Sequence, residues 1–286
     1  MDLADYFERG SLLKTLRKRH PYDFVETYEL LRHLYGYDKF YVNLGYWKDG
    51  LQTTEAGYEL VRFLAGRMDL GTGSSLIDAG AGMGQAAVDL AKDYELRHIT
   101  GININERQVR FANDLRDEAS LGNTINHICG DASEVPHTLD KEAYDFAMAV
   151  ECIGHFPSAE RFLAGVSDAL VPRGRMVFCL NIAKEKPSFF ERLMMKISYG
   201  FIPQPAGVWT DRIAAAKFKV VDHGDITSTV LEPAMERSLA QLKEPSPATA
   251  RVSGFRKWCI RKGCHSVLRA ASGGRMAYQY FVIEKT

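Results

Sequence analysis

The sequence predicts an α/β fold built on a doubly wound, mostly parallel sheet of seven strands. Strand and helix patterns alternate from about residue 75 to residue 181, as in parallel βαβ units with right-handed crossovers. The apolar run Ser75–Ala79 turns through alternating glycines into a helical pattern that begins at Gln85. Two further strand patterns lie near the C-terminus. At 286 residues, the chain is long enough to bury a substantial core.

The N-terminal region, residues 1–50, is predicted to hold amphipathic helices followed by an aromatic segment. Apolar residues recur at helical spacing up to about residue 35. These helices are compatible with two roles, as a cap on the core or as the interface of a homo-oligomer. The stretch from Tyr35 to Trp47 is dense in aromatic residues and broken by glycines. Its rings can staple the helices to the core, or they can face a cationic ligand through cation–π contacts of roughly 0.5 to 2 kcal/mol.

The predicted core, residues 51–182, begins with an amphipathic helix from Thr53 to Met68, for which Thr53 or Thr54 is the expected cap. Five strand patterns follow: Leu76 to Ala79, His98 to Ile102, Ile125 to Cys129, Tyr144 to Val150 and Gly174 to Leu180. Residues 183–215 are predicted to form a helical cap insertion at the sheet edge where open α/β sheets bind ligands. Residues 216–286 return to the sheet with strands from Phe218 to Ile226 and from Ala277 to Glu284, around a helical insertion.

The composition argues against several function classes. Lys plus Arg and Asp plus Glu both number 36, so no overall field recruits nucleic acid, and we expect none as a partner. Five cysteines without paired spacing and the lack of a secretory signal favour reduced thiols and a cytoplasmic location. No apolar stretch approaches the ~20 residues of a membrane span, so no integral membrane association is expected. Cys259, Cys264 and His265 lack a fourth ligand, and no metal is expected.

The turn after the first strand carries the motif D-x-G-x-G-x-G, formed by Asp78, Gly80, Gly82 and Gly84. Glycine allows φ > 0 and lets a ligand lie directly on the backbone. A dinucleotide-binding loop has G-x-G-x-x-G, but here Gln85 stands at the third glycine position. The motif resembles the first motif of class I methyltransferases that use S-adenosylmethionine (SAM). In that family the acid and the loop hold the methionine end of the cofactor; a tight turn without a ligand is the alternative.

Further motifs resemble the same family in the right order. The second strand ends in G-I-N-I-N-E-R-Q, similar to the second motif of cyclopropane-synthase-like and tocopherol-methyltransferase-like enzymes. This resemblance places Asn103, Ile104 and Gln108 at the cofactor. In many members of the family, the position of Asn103 holds an acid that accepts hydrogen bonds from both ribose hydroxyls. Asn103 can also cap the next helix. The third strand ends in C-G-D-A, which resembles the motif in which Asp131 accepts the adenine amino group and the N–H of Ala132 meets the ring.

The fourth strand runs into E-C-I-G-H-F-P, which is similar to the E-x-x-x-H-[FIM]-P pattern of methyltransferases that act on small metabolites. Glu151 is expected to face the cofactor or to orient its neighbours, and Asn181, at the end of the fifth strand, to touch the acceptor. The N/D-P-P-Y/F motif of enzymes that methylate base amino groups is absent. The string N-L-G-Y-W resembles the start of the lid in the small-molecule enzymes. On this basis Tyr37, Tyr46 and Trp47 are predicted to contact the cofactor.

The resemblance covers about residues 35 to 181 and implies a Rossmann-like sheet with an antiparallel last strand. It also implies a SAM-dependent methyltransferase of natural-product biosynthesis that releases S-adenosylhomocysteine (SAH). Aromatic and Met-rich segments beside the site favour a small, largely apolar acceptor. Transfer to oxygen is preferred, with His155 as the group that takes the acceptor proton. Transfer to carbon or nitrogen, and a relative repurposed for cyclisation or decarboxylation, are alternatives; Gln85 disfavours a nicotinamide-dependent oxidoreductase.

Overall fold

The computed structural model describes residues 25–50, 53–185, 202–250 and 252–286, with side chains from residue 30 onward. The first predicted helix, residues 186–201 of the predicted cap insertion and Arg251 lie outside the described residues. The helices are α1 (Val25–Tyr35), α2 (Ala56–Arg67), α3 (Gln85–Tyr94), α4 (Glu106–Glu118), α5 (Ala159–Ala169), α6 (Ala206–Ala215), α7 (Leu231–Gln241), α8 (Pro247–Ala250) and α9 (Gly254–Ser272). The strands are β1 (Ser75–Ala79), β2 (His98–Asn103), β3 (Ile125–Cys129), β4 (Tyr144–Val150), β5 (Leu170–Ala183), β6 (Phe218–Asp225) and β7 (Met276–Lys285).

The seven strands form one sheet in the order β3-β2-β1-β4-β5-β7-β6. Strands β1 to β5 pair in parallel, and β7 runs antiparallel to both of its neighbours, β5 and β6. The predicted fold, a mostly parallel seven-stranded sheet with an antiparallel last strand, is therefore confirmed. The strand order reverses between β1 and β4, which makes the carboxyl ends of these two strands the topological switch point where open α/β sheets bind ligands.

Helices cover both faces of the sheet, because alternate side chains of a strand point to opposite faces. Leu76 of β1 packs in a core that includes Leu60 of α2 and Leu90 of α3. Its neighbour Ile77 packs in the opposite core with Phe162 of α5. The predicted domain boundary after residue 182 and the separate cap remain predictions. Helix α6, which lies at the end of the predicted cap, places the buried side chain of Trp209 in the second core.

Several boundaries differ from the prediction by one to four residues, and two of these differences concern predicted roles. The predicted cap at Thr53 or Thr54 is wrong. Helix α2 begins after Glu55 without a side-chain cap, and the hydroxyl of Thr53 accepts the N–H of Glu55 in the turn before the helix. Strand β5 continues to Ala183 because its antiparallel pairing with β7 extends to that residue. Asn181 therefore lies within the strand and is buried, rather than at its end.

Within the described ranges, no helix is both long enough and apolar enough to cross a membrane.

Candidate functional site

The candidate site lies at the switch point, where the loop after β1 is fixed between β2 and β4. The N–H groups of Gly80 and Ala81 donate to the carbonyl of Ile102 at 2.8 and 3.0 Å. On the other side, the thiol of Cys152 donates to the carbonyl of Ala79 at 3.0 Å. Hydrogen bonds to the end of β2 and from the loop after β4 thus hold the loop backbone.

The three glycines of this loop all have positive φ, at +74° for Gly80, +56° for Gly82 and +77° for Gly84. A Cβ on Gly80 would lie 2.6 Å from the Cβ of Cys152, and one on Gly84 would lie 2.7 Å from the Cβ of Ala112. A Cβ on Gly82 would meet nothing nearer than the carbonyl oxygen of Gly80 at 4.0 Å. The outer glycines are therefore packing positions, and Gly82 presents bare backbone to open space that a ligand can fill.

Asp78 lies at the base of the loop and is buried, with 4% of its surface exposed. Its Oδ2 has no hydrogen-bond partner among the described residues. Burial raises the pKa of this carboxyl to about 7. A buried acceptor without a donor is costly, so the site fits a ligand that brings a donor or a positive charge to this point, as the ammonium of the methionine end of SAM would.

We expect Asp78→Asn to stabilise the cofactor-free protein at pH 8. The folded-state pKa of about 7 exceeds the unfolded value, so this acid lowers the free energy of unfolding as the pH rises from about 4 to 7. Asp78→Asn should therefore raise the free energy of unfolding by on the order of 1–4 kcal/mol and Tm by about 5 °C. The gain should be more than halved at pH 5, and differential scanning calorimetry at the two pH values measures it.

Asp145 offers a matched control, because its Oδ2 accepts the N–H of Ser75 at 2.8 Å and lies 3.6 Å from the guanidinium of Arg97. Asp145→Asn removes the same charge from a carboxyl that has partners, and it should not stabilise the protein. If Asp78→Asn also failed to raise Tm at pH 8, Asp78 would not be an unpaired charge in the folded state.

Asn103, at the end of β2, is bonded within the protein. Its amide Nδ2 donates to the carbonyl of Gly82 at 2.8 Å and to Oε1 of Gln108 at 2.7 Å, and its Oδ1 accepts the N–H of Asn105. The helix α4 is capped by Asn105, whose side chain accepts the N–H groups of Arg107 and Gln108, so Asn103 is not the cap. Asn103 and Gln108 thus position the glycine loop, and their contact with the ribose stays a prediction.

Ile104 and the start of the loop after β3 form an apolar surface beside a carboxylate. Ile104 is 61% exposed, which is unusual for a large aliphatic side chain. The N–H of Gly130 donates to the carbonyl of Asn103 at 3.0 Å, and this bond sets Asp131 beside the end of β2. Oδ1 of Asp131 accepts the N–H of Ser133 at 2.8 Å, and Ala132 is buried. The adenine contact predicted for Asp131 and Ala132, and the cofactor contact predicted for Ile104, stay predictions.

Glu151 follows β4 directly and has the left-handed backbone conformation, with φ at +58°. Its Oε1 accepts the N–H of Leu44 at 2.9 Å and the hydroxyl of Tyr278 at 2.6 Å. Burial raises the pKa of this carboxyl to about 7, although both hydrogen bonds act in the opposite direction. Non-glycine residues rarely adopt this conformation, and where they do, the surrounding structure holds them there.

The aromatic segment, residues 35–47, passes over this region, and its rings pack within the protein. The hydroxyl of Tyr37 donates to the carbonyl of Asn43 at 3.0 Å, and the indole N–H of Trp47 donates to the carbonyl of Leu44 at 2.7 Å. The ring of Tyr46 stacks on Phe63, with 4.7 Å between the ring centroids. The three rings therefore staple the segment to the core. Their predicted contact with the cofactor remains untested, and the backbone of Leu44 is the part of the segment that meets Glu151.

A buried carboxylate ties the same segment to α3. Asp89 accepts the ammonium of Lys39 at 3.0 Å, the hydroxyl of Tyr41 at 2.7 Å and the amide of Gln85 at 3.2 Å. Sequence reasoning missed this cluster, as it missed Tyr278. Tyr41 and Lys39 are 48 and 50 residues from the acid in the chain, and no motif signals the pairing.

His155 lies in a single 3₁₀ turn, Ile153–His155, on the loop after β4. Its side chain is half-buried, and its backbone N–H donates to the carbonyl of Cys152 at 2.8 Å. A cavity of about 350 Å³ lies against this loop, and its lining mixes apolar side chains, such as Phe156 and Trp209, with the polar side chains of Glu160, Gln204 and Arg212. His155 lies in the chain between Gly154 and Phe156, which line the cavity, but His155 itself is not one of the lining residues.

The geometry agrees with what similarity to known proteins shows. Residues 77–178 match the methyltransferase domain family. The chain is 27% identical over 248 residues to the 27-O-demethylrifamycin SV methyltransferase of Amycolatopsis mediterranei, covering 82% of this chain and 81% of that protein. It is 26% identical over 197 residues to the O-methyltransferase cnsE of Penicillium expansum, covering 66% and 69%. The solved structure of the [4+2]-cyclase SpnF shares the fold with a TM-score of 0.70 at 23% identity, over 90% of this chain and 92% of that one.

Proposed function

Because the chain is a class I SAM-dependent methyltransferase of the small-molecule group, we propose that it methylates oxygen on a small, largely apolar metabolite. Methyltransferase activity in secondary metabolism follows from the family and from the relatives. That the methylated atom is oxygen goes beyond this, and it is supported by two relatives whose names specify O-methyl transfer. The observation that carries the proposal is the open backbone at Gly82 beside the unpartnered carboxyl of Asp78.

The residues at the switch point suit the three parts of SAM. Asp78 and the loop of Gly80, Gly82 and Gly84 would hold the methionine end. The ends of β2 and β3 would hold the nucleoside, with Asn103 and Gln108 toward the ribose, and Ile104, Asp131 and Ala132 toward the adenine. When bound, the cofactor supplies a methyl group on a cationic sulfur. The protein then contributes by fixing the reacting groups in line, which is an entropic advantage.

On the acceptor side, the chain must remove a proton from the hydroxyl as oxygen attacks. We assign this role to His155, whose imidazole is the side chain suited to accept a proton near neutral pH. The cavity beside its loop offers the rings of Phe156 and Trp209 together with charged side chains, so it supports an acceptor that has an apolar part and polar substituents. Asn181 is buried in β5, and its Oδ1 has no partner within the described part of the chain, so it is a second group able to orient the acceptor.

Paired acceptors test the proposal. We expect the enzyme to add one methyl group from labelled SAM to hydroxylated apolar compounds such as macrolactones or polyketide phenols. It should add none to the same compounds with that hydroxyl replaced by hydrogen. Mass spectrometry measures the transfer, and NMR of the product identifies the methoxy group.

If the labelled methyl group is attached to carbon or nitrogen of the product, the enzyme methylates that atom, and the oxygen assignment is wrong. Conversion of a polyene to an isomer of unchanged mass would instead indicate cyclisation. That outcome is worth testing because SpnF, named as a cyclase, has the same fold over nine-tenths of this chain.

A further inference from the structure

Two carboxyl groups at the switch point, the buried one of Asp78 and the half-buried one of Glu151, have no cationic partner among the described residues. Among the described residues, neither Asp78 nor Glu151 forms an ion pair, and Oδ2 of Asp78 has no hydrogen-bond partner. Both act electrostatically on the thiol of Cys152, so both lie within reach of one point beside the glycine loop. The buried carboxylate of Asp89, by contrast, is paired with the ammonium of Lys39. The switch point therefore holds negative charge that the described protein does not neutralise.

Glu151 is also held in one orientation. The hydroxyl of Tyr278 and the N–H of Leu44 both donate to its Oε1, and neither donates to Oε2. The three residues come from β7, from the aromatic segment and from the end of β4, so three separate parts of the chain define the position of this carboxylate. Its left-handed backbone is shared by six other described non-glycine residues, Glu142 included, so the two hydrogen bonds to Oε1 are what distinguish Glu151. Such over-determination is expected of a group that must act on a ligand.

Several described elements place titratable side chains close enough to interact electrostatically with Glu151 or with its neighbour Cys152. They are Tyr278 of β7, Cys179 of β5, Tyr37 of the aromatic segment, Cys152 on its own loop and, beyond Cys152, Asp78 of β1. None of these side chains carries a positive charge. The guanidinium of Arg237 in α7 lowers the pKa of Tyr37 electrostatically, but it has no such effect on Glu151.

We propose that Glu151 is the counter-charge by which this site prefers the cationic cofactor SAM to its neutral product SAH, and that Tyr278 is its positioning residue. SAM carries one more positive charge than SAH, because the sulfonium becomes a thioether when the methyl group leaves. A carboxylate in a site of low dielectric attracts that charge strongly. The same carboxylate gains nothing from SAH, so the product is held more weakly and leaves. The inference rests on the proposed function only in taking SAM as the ligand, and it is independent of the acceptor.

Calorimetric titration with SAM and with SAH, in the absence of any acceptor, tests the proposal. We expect Glu151→Gln to weaken SAM by about tenfold or more while SAH affinity changes by less than about threefold. Glu142→Gln is the matched control. Glu142 precedes β4 at its other end, also has positive φ (+53°) and lies 3.6 Å from the ammonium of Lys285. Glu142→Gln removes the same charge far from the site, and this variant should keep the wild-type preference for SAM over SAH.

The pH dependence gives a second readout. Burial raises the pKa of Glu151 to about 7, so its charge is mostly absent at pH 6 and mostly present at pH 8. The ratio of SAM to SAH affinity should therefore grow by up to about tenfold across this range in the wild type, and by less in Glu151→Gln. Tyr278→Phe removes a hydrogen bond that lowers the pKa of Glu151. This variant should lose SAM preference at pH 7 and recover it at pH 8 to 9, which a purely structural defect would not do.

Equal weakening of SAM and SAH in Glu151→Gln would overturn the proposal, because it would show a structural role. Unchanged affinity for both ligands would overturn it as well. Failure of the wild type to bind either ligand would instead contradict the proposed function. Binding with the expected preference, but without any O-methylated product, would leave the charge assignment standing and remove the oxygen acceptor.

Discussion

Replacing His155 by alanine should lower kcat by about 10²- to 10⁴-fold, the range typical of losing a general base. The reason is that an alcohol or phenol attacks as its proton leaves, and we propose that His155 accepts that proton. SAM affinity should stay within about twofold, because the base acts in the transition state rather than on the bound cofactor. In the wild type, turnover should fall as the pH is lowered, since a protonated imidazole accepts no proton. Single-turnover kinetics with SAM in excess measures the methyl-transfer step directly.

His137 is the control for this experiment. It also lies in a 3₁₀ turn, Val135–Thr138, but it is exposed, and its Nε2 lies 2.9 Å from the carbonyl oxygen of Arg161. His137→Ala should keep the wild-type rate. A loss below about threefold in His155→Ala would mean that this residue merely supports the loop. A loss confined to SAM binding would place it in the cofactor pocket.

The motifs that build the floor of the site are predictable because they are local. Gly80, Gly82 and Gly84 are within five residues of each other, and their conformation is set by a strand turning into a helix. The same holds for Asp131, which lies just after the end of a strand. Chain order then brings these turns to one sheet edge, since the carboxyl ends of parallel strands meet there. The fold and the cofactor follow from this pattern.

The contacts that orient Glu151 could not be predicted in this way. Tyr278 is 127 residues further along the chain, and its position beside Glu151 follows from the antiparallel register of β5 and β7, in which it pairs with Asn181. A one-residue shift of that register would turn Tyr278 to the other face of the sheet. Nor does sequence pattern show that a glutamate will adopt positive φ. Such features depend on tertiary packing, which local propensity does not encode.

The same limit explains the three aromatic residues. Resemblance assigns Tyr37, Tyr46 and Trp47 to the cofactor, and the density of aromatic residues in this part of the sequence suits either a lid or a staple. The structure gives the polar groups of Tyr37 and Trp47 backbone partners, which is what a buried phenol and indole require. Composition alone cannot distinguish a ring that faces a ligand from one that faces the core.

The central claim is that the bare backbone of the loop after β1 holds the methionine half of SAM. Gly82→Val should therefore abolish SAM binding, with at least about a 100-fold loss, because the isopropyl group would occupy the open space above the loop. Gly73→Val is a matched control at the other end of β1. Gly73 has positive φ (+75°), and a Cβ added to it would meet no atom within 4 Å, so the substitution imposes similar backbone strain away from the site.

The decisive measurement is the SAM dissociation constant of these two variants by isothermal titration calorimetry, with circular dichroism and Tm recorded on the same samples. Our account predicts that both variants fold with a similar loss of Tm, that Gly73→Val binds SAM like the wild type, and that Gly82→Val shows no binding. Wild-type affinity in a folded Gly82→Val protein would contradict it, because the cofactor could not then lie on this loop.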